Sequence, residues 1–572
     1  MIGLIAVTAA GRAASSRLAA SWPGETRAYD GPAAHALPRA WNECDGLVCF
    51  LAAGAVVRLI APLLESKHTD PAVVVVDEAA RFAVPLAGGH GGGANALAAR
   101  AAEVLGAETV LTTASDAAGL PGLDDLGWPA EGAAAAVTRA LLDGTPVSLD
   151  ADATWPLPPL PAAPAGTTAQ ETEALKTELP YRIVVTDRIV PVGDRTVVLR
   201  PPSLVAGAGA SRGVSGGEVL GLIDETLAAA GLSSASVTAL VTVDAKAAEP
   251  GLVEAARQRS WPLLSYPAGK LAEIPVPNPS QAALDAVGTP SVAEAAALAG
   301  TGLAGMGELV AQKRKSAMAT VAIARIRPRG RLAVIGLGPG ARDLIPPRAV
   351  AELRRASIVV GLGQYIDQVR DLLRPGTTVL SSGLGAEEER AGIAVERAGH
   401  GHAVALLGSG DAGVYAMASP ALLRAGRDID VTVVPGITAS LAASALLGAP
   451  LGHDHAVISL SDLHTPWEAI ERRVRAAAEG DYVTVFYNPR SQVRDWQLGK
   501  ALAMLAAHRP PGTPAGIVRN ASRSGQRVAL TTMAEFDPGA VDMFSIVIVG
   551  ASTTRVTAGR MVTPRGYKWQ PS

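Results

Sequence analysis

Cysteine is almost missing from this 572-residue chain; only Cys44 and Cys49 occur. Two thiols cannot cage a metal alone, and they do not suggest a disulfide framework. Nothing else in the sequence forces a metal site. Aromatic residues make up 4% and are not interleaved with basic clusters, so the ladder that stacks nucleic-acid bases is lacking. Charge of one sign is lacking too. Lys and Arg number 50 against 53 Asp and Glu, for a net charge of −3, with no basic block. Nucleic acid is therefore not an expected partner. No apolar run reaches the roughly 20 residues that span a bilayer, and no membrane partner is expected. The opening "MIGLIAVTAAGR" has no basic region ahead of its apolar stretch and reads as a first strand rather than a signal peptide. The expectation is a soluble, cytoplasmic protein.

What the chain does have is apolar residues, 48% of the total, enough for several cores over a length that suggests about three or four domains. Strand-like runs alternate with alanine-rich helical stretches: "GLIAVTA", "DGLVCFLA", "AVVVVDE", "FAVPLAGG", "TVLTTASD". That rhythm predicts an α/β fold with a mostly parallel sheet. Proline then becomes dense in "TWPLPPLPAAPAG", ahead of the strand runs "YRIVVTD" and "TVVLRPP". The predicted division is an α/β domain over 1–140, a small central domain over 141–201 and a third, α/β domain over 202–325. A linker over 326–330 and a second large half over 331–572 follow. The linker rests on "RIRPRG", short, basic and punctuated by Pro328 and Gly330. After it the α/β rhythm restarts.

"RLAVIGLGPGARDLIPP" (331–347) is an apolar run ending in a glycine loop. Gly336, Gly338 and Ala341 satisfy a dinucleotide fingerprint, which would make the protein a dinucleotide-dependent oxidoreductase. That fold needs the turn to feed directly into a helix and an acid at the end of the second strand. Here Pro346 and Pro347 suit a late helix start, and "SIVVGLGQ" ends without a carboxylate. The loop is instead a wide strand-to-helix connection at the carboxyl edge of a sheet, where ligands bind.

Three more segments repeat that design. "VALLGSGDAGVYAMASP" (404–420) runs into Ser409-Gly410-Asp411, "VTVVPGITASLAASA" (431–445) into Pro435-Gly436 and Thr438-Ala439, and "DYVTVFYNPRS" (481–491) into Tyr487. Small residues at strand ends leave backbone amides and carbonyls free to line a flat ligand. Asp411 also reads as a helix N-cap, and His464 also reads as a solvated loop histidine. In the first half, "PLAGGHGGGANALAARAAEVLG" (85–106) places five glycines around His90 before a helix beginning near Asn95. Such a loop is costly in conformational entropy and suits amides that approach an anion or oxyanion. Arg58, Lys67, His68, Asp70, Asp77 and Glu78 lie near the end of one strand, and Asp116 closes another.

"GLGPG", "GSGDAGVY", "VVPGITA", "LSDLHTPWE" and "FYNPRS" together resemble the tetrapyrrole methylases over about residues 331–560. "YNPRSQVRD", "GIVRNASRSGQ", "DMFSIVIVGASTTR" and "MVTPRGY" resemble the precorrin-3B C(17)-methyltransferase branch of cobalamin biosynthesis, although Leu362 stands where an aromatic residue is expected. The resemblance implies two α/β subdomains with S-adenosylmethionine between them. Its contacts would be Pro339, Ser409, Gly410, Asp411, Val414, Thr438, Ala439 and Tyr487. Asp411, His464 and Tyr487 become the candidates for proton transfer, and Arg490, Arg494, Arg519, Arg523 and Arg565 the candidates for meeting ring carboxylates. The resemblance further implies a precorrin or cobalt-precorrin substrate and a homodimer through this half.

Residues 1–325 resemble the cobalamin-biosynthesis hydrolase that opens the lactone of cobalt-precorrin-5A. "LVAGAGASRGVSGGEV", "TVDAKAAEPGL" and "TPSVAEAAAL" match its C-terminal part. Ala96, Ala210 and Ser211 depart from the expected pattern. A lactone hydrolase needs a water, a base and a place for the oxyanion: His90 is the candidate base and the glycine-loop amides the candidate oxyanion donors, while Lys67 with His68, or Lys246 with Glu249, would hold propionates or share the proton transfers. His90 also reads as a residue that only orients the loop. The reading is a bifunctional methyltransferase and hydrolase. Its rivals are methylation of another ring carbon with a non-catalytic, corrinoid-binding first half, and the oxidoreductase.

Overall fold

The computed structural model describes residues 1–66, 69–89, 92–124, 126–164, 180–302, 307–491 and 493–566. The chain divides into two compact units, one built mainly from residues 1–328 and the other mainly from 329–572.

Among its described residues the first unit holds three sheets. In the first, strands run in the order Thr26–Tyr29, Ile2–Ala6, Gly46–Phe50, Ala72–Val76, Phe82–Ala87, Glu108–Thr109. Pairing is parallel except between Ala72–Val76 and Phe82–Ala87, which are antiparallel. Every residue of Gly46–Phe50 and Ala72–Val76 is buried, as expected of apolar runs covered on both faces. "TVLTTASD" does not form the strand its composition suggests. Pairing stops at Thr109, and Ala114–Ala117 is a helical turn, because the neighbouring strand pairs with only Glu108 and Thr109.

The central sheet has the order Ala130–Gly132, Thr196–Leu199, Tyr181–Val185, Val147–Ala151, Ala163–Pro164. It recruits Ala130–Gly132, and the helix Ala134–Leu142 packs on it, so it begins about ten residues before the expected start at 141. The third sheet has the order Leu263–Tyr266, Val237–Val243, Leu204–Ala210, Ala319–Ile326, Gly307–Lys315. Its last two strands form an antiparallel hairpin that the sequence reading did not identify. Strand Ala319–Ile326 takes in the first residue of the expected linker, and the strand Gly330–Gly336 takes in its last.

Among its described residues the second unit holds two five-stranded sheets and a small three-stranded one. The first is all parallel, in the order Thr378–Ser382, Ile358–Leu362, Ala403–Gly408, Gly330–Gly336, Ile429–Val434. Parallel pairing brings all its carboxyl ends, and the loops that follow, to one edge. The other large sheet runs His455–Ser459, Val483–Tyr487, Ser545–Val549, Pro514–Arg519, Arg527–Thr532, with only the first pair parallel. No described helix is long and apolar enough to cross a membrane.

Candidate active site

After Gly330–Gly336 the chain makes a wide turn, and the next α-helix starts only at Pro347, with Pro346 as its N-cap. The second strand, Ile358–Leu362, is buried along its length and ends in Leu362. A dinucleotide cradle therefore does not form: the helix N-terminus lies well beyond the glycines and no acid ends the second strand.

The loops after Gly330–Gly336, Ala403–Gly408 and Ile429–Val434 instead lock onto one another. Gly338 and Gly410 exchange backbone hydrogen bonds at 3.0 and 2.8 Å, and the Leu337 amide donates to the Gly408 carbonyl at 2.9 Å. Both glycines have positive φ, +80° and +69°, which glycine adopts without strain. A methyl group on Gly436 would sit 2.1 Å from the Gly410 oxygen, and one on Gly336 2.7 Å from the same oxygen. Three loops that lie far apart in sequence thus touch backbone to backbone.

Asp411 completes this junction. One carboxylate oxygen accepts from the Gly413 amide at 2.8 Å and the other from the Gly436 amide at 2.9 Å. The N-cap expectation is corrected here, since the following helix, Ala418–Arg424, starts after Met417. Asp411 braces two loops because Gly436 comes close enough to claim its second oxygen.

Side chains from the second sheet cross to these loops. The Tyr487 hydroxyl accepts from the Ser440 amide at 2.8 Å and shares a short hydrogen bond with Thr438. It thereby caps the helix Ala439–Leu447, whose N-cap residue Thr438 makes no side-chain cap of its own. Tyr415 packs beside it, with ring centroids 5.4 Å apart, in a left-handed backbone conformation of φ +50°. Its hydroxyl donates to the Val457 carbonyl and accepts from the Ser459 amide, both at 3.1 Å, and burial holds its pKa above the usual tyrosine value. The sequence reading passed over Tyr415. Its partners lie more than 40 residues away, and no periodicity reports such a contact. Pro339 and Gly410 are buried, while Ser409, Val414, Thr438 and Ala439 are half-buried.

His464 is exposed on the loop after His455–Ser459. Four of the five arginines are engaged by the protein itself. Arg490 donates to the Pro538 carbonyl at 3.2 Å. Arg494 is buried and donates to the Asn488 carbonyl at 3.0 Å; desolvation lowers its pKa. Arg519 pairs with Asp542 at 2.7 Å. Arg523 reaches Pro339 and Ser409, and Arg565 lines a pocket of about 420 Å³ with Leu451 to His455.

In the first unit, His90, Lys67 and His68 lie outside the described residues. Around the glycine loop, the Ala94 and Asn95 amides donate to Gly88 and Gly89. The Asn95 side chain is buried and donates to Asp116 at 3.3 Å, while its own oxygen has no partner. Thr113 makes a short hydrogen bond to the same Asp116 oxygen. Asp77 accepts from the Arg81 and Phe82 amides, both at 2.7 Å, so it holds a turn; with Glu78, Leu51 and Val75 it lines an apolar pocket of about 650 Å³. Asp70 is likewise engaged by the Glu65 and Ser66 amides, and Arg58 is exposed. In the third sheet's unit, Glu249 accepts from the Gly213 amide at 2.7 Å and pairs with Lys246 at 3.5 Å; these contacts, the amide first, hold its pKa below the ordinary value.

Comparison with known proteins agrees with this geometry. Residues 331–537 match the tetrapyrrole (corrin/porphyrin) methylases. Residues 35–116 match the cobalamin synthesis G N-terminal family and residues 204–324 its C-terminal family. A probable cobalt-factor III C(17)-methyltransferase of Salmonella typhimurium is 47% identical over 41% of this chain and 99% of its own length. The precorrin-3B C(17)-methyltransferase of a Sinorhizobium species is 38% identical over 42% of this chain and 97% of its own. The cobalt-factor III methyltransferase of Priestia megaterium is 39% identical over 42% of this chain, which spans about half of that protein (46%). The interlocked loops at the parallel-sheet edge are thus those of a methyltransferase, and the chain belongs to the tetrapyrrole methylase family, carrying cobalamin synthesis G modules ahead of its methylase half.

Proposed function

We propose that residues 331–572 methylate C17 of a precorrin-3B or cobalt-factor III ring, with S-adenosylmethionine as donor and with ring contraction, and that the first 325 residues open the lactone of a later corrinoid in the same route. The observation carrying this reading is the meeting of three sequence-distant loops, Gly336–Gly340, Gly408–Asp411 and Pro435–Thr438, at one sheet edge beside Tyr487.

The chemistry of these residues suits the donor. Pro339, Ser409, Gly410, Val414, Thr438 and Ala439 are small and neutral, and Asp411 is the acidic group beside them, which favours a cation. When bound, S-adenosylmethionine supplies an electrophilic methyl group. The chain has to hold the donor and leave a line of approach for the ring carbon, and alignment of this kind supplies much of a methyl-transfer rate. Asp411 and Tyr487 hold the loops in register. Ring contraction requires proton movement at a ring hydroxyl; His464, exposed on the strand-end loop, takes that role. In the first half His90 activates water, and Asn95, Thr113 and Asp116 fix the helix start behind the glycine loop.

Calorimetric titration of the full chain tests the methylase reading. S-adenosylhomocysteine should bind at micromolar concentration and NADP should not. Incubation with a precorrin-3B-type ring and donor should then add the mass of one methyl group. Binding of NADP alone would overturn the reading.

A further inference from the structure

Arg523 stands in the turn between Pro514–Arg519 and Arg527–Thr532. Its Nε donates to the Pro339 carbonyl at 2.6 Å and a terminal nitrogen donates to the Ser409 hydroxyl at 2.7 Å. One guanidinium from the second sheet therefore ties together two loops of the first, 184 and 114 residues away in sequence.

The surroundings are built around this side chain. Asn520 and Ser522 both adopt left-handed backbone, with φ +49° and +59°; asparagine tolerates this region, while for Ser522 it is a strain kept where the structure imposes it. The turn is pinned by the Arg523 amide donating to Asn520 at 2.9 Å, the Gln526 amide donating to Arg523 at 3.1 Å, and the Ser522 amide donating to the Gln526 side chain at 2.8 Å. On the receiving side, a methyl group on Gly340 would lie 2.5 Å from the Arg523 Cγ and 2.7 Å from its Nε. Gly340, at φ +139°, leaves the space the arginine fills. Pro339 is buried, so without Arg523 its carbonyl loses its charged donor.

We propose that Arg523 is a positioning residue for the methyl donor, setting the gap between the 336–340 and 408–411 loops; this rests on the methylase reading above. The guanidinium fork can serve two acceptors at once, which a lysine ammonium on a flexible stem does less well. The Gly338–Gly410 backbone pair does not involve the guanidinium, so the fold should survive its loss while the loop tips lose their spacing.

The test is S-adenosylhomocysteine affinity and methyl-transfer kinetics of the full chain carrying Arg523→Ala, Arg523→Lys or Gly340→Ala, with the exposed Arg527→Ala in the same hairpin as control. Arg523→Ala should weaken binding about 10- to 100-fold, the scale of one or two charge-assisted hydrogen bonds, with the donor KM rising more than kcat falls. Arg523→Lys should recover part of the loss. Gly340→Ala should weaken binding in the same direction by displacing the arginine, and Arg527→Ala should bind as the unaltered chain does. Binding within twofold of the unaltered chain for both Arg523→Ala and Gly340→Ala overturns the proposal, as does a fall in kcat alone. If Arg523→Ala does not fold, Arg523→Lys decides: a shift of threefold or more supports the role and no shift overturns it. Failure of the unaltered chain to bind is a separate result, which removes the donor assignment itself.

Discussion

The two glycine-rich edges of this chain look alike in sequence and are used differently. In the second unit, Gly336, Gly410 and Gly436 come from three separate loops, and a side chain on Gly336 or Gly436 would strike the backbone of another loop. In the first unit, a methyl group on Gly92 would meet Gly88 of its own loop, and one on Gly93 would meet no atom of the described residues within 4 Å. Glycine serves close approach between distant segments in one case and local turn geometry in the other. In the first unit Gly88 alone of these glycines meets a neighbouring strand, an added methyl group lying 3.2 Å from the Ala72 backbone, so contact with distant segments is less tight there.

The hardest blow to that contrast should come from Gly436→Ala. Its new methyl group meets backbone, which cannot swing aside, so overpacking of about 3 kcal/mol is expected. Misplaced loops should also cut methyl transfer by roughly 100-fold or more. Near-normal activity would show that the loops are not interlocked as described. Tyr487→Phe should act next. It leaves the Ser440 amide and Thr438 without their partner and should raise the donor KM about tenfold, a loss of ~1.4 kcal/mol, read from initial rates against donor concentration.

The first unit offers a counterpart to Asp411 in the buried Glu294, which accepts from Asn278, Ser291 and the Lys313 amide. Burial pushes its pKa up, but these donors outweigh burial, and the folded pKa is lowered. Its stabilisation is therefore present above the unfolded pKa, roughly 4.3, and is lost as pH falls through the lower folded value. Glu294→Gln should cost about 2 kcal/mol at neutral pH and flatten the acid limb of urea-unfolding stability plotted against pH. An unchanged acid limb would put the linkage elsewhere. The mildest effect belongs to Gly93→Ala. Its φ is +80° with no atom of the described residues within 4 Å of an added methyl group, so a backbone term of about 1 kcal/mol is expected. A cost above ~3 kcal/mol in denaturant melts would mean that this loop, too, is packed against something.

Much of the fold was legible because its signals are local. The runs Gly46–Phe50, Ala72–Val76, Gly330–Gly336 and Ala403–Gly408 are apolar at every position or nearly so, as strands covered on both faces must be. Pro346 and Pro347 marked a late helix start. The misses were pairings. Thr26–Tyr29, Val147–Ala151 and Gly307–Lys315 carry little signal that separates them from exposed segments, and they become strands through the neighbours they meet, whereas Ala319–Ile326, with Val321 and Ile323 in alternation, carried a strand signal that was passed over. At the site, the residue types were readable and their partners were not. Asp411 looked like a cap, Arg523 like a ligand for carboxylates, and Tyr415 like nothing in particular.

The sequence by itself determined the α/β rhythm, the family, and the small residues placed at the ends of strands. These follow from hydrophobic period and from glycine and proline chemistry, which act within a few residues. The tertiary structure decided that Asp411 spans two loops, that Tyr487 caps a helix it does not adjoin, and that Arg523 fills the space left by Gly340. Each of those facts depends on two segments brought together by parallel strand pairing and by packing between the sheets, and no local pattern encodes such a distance.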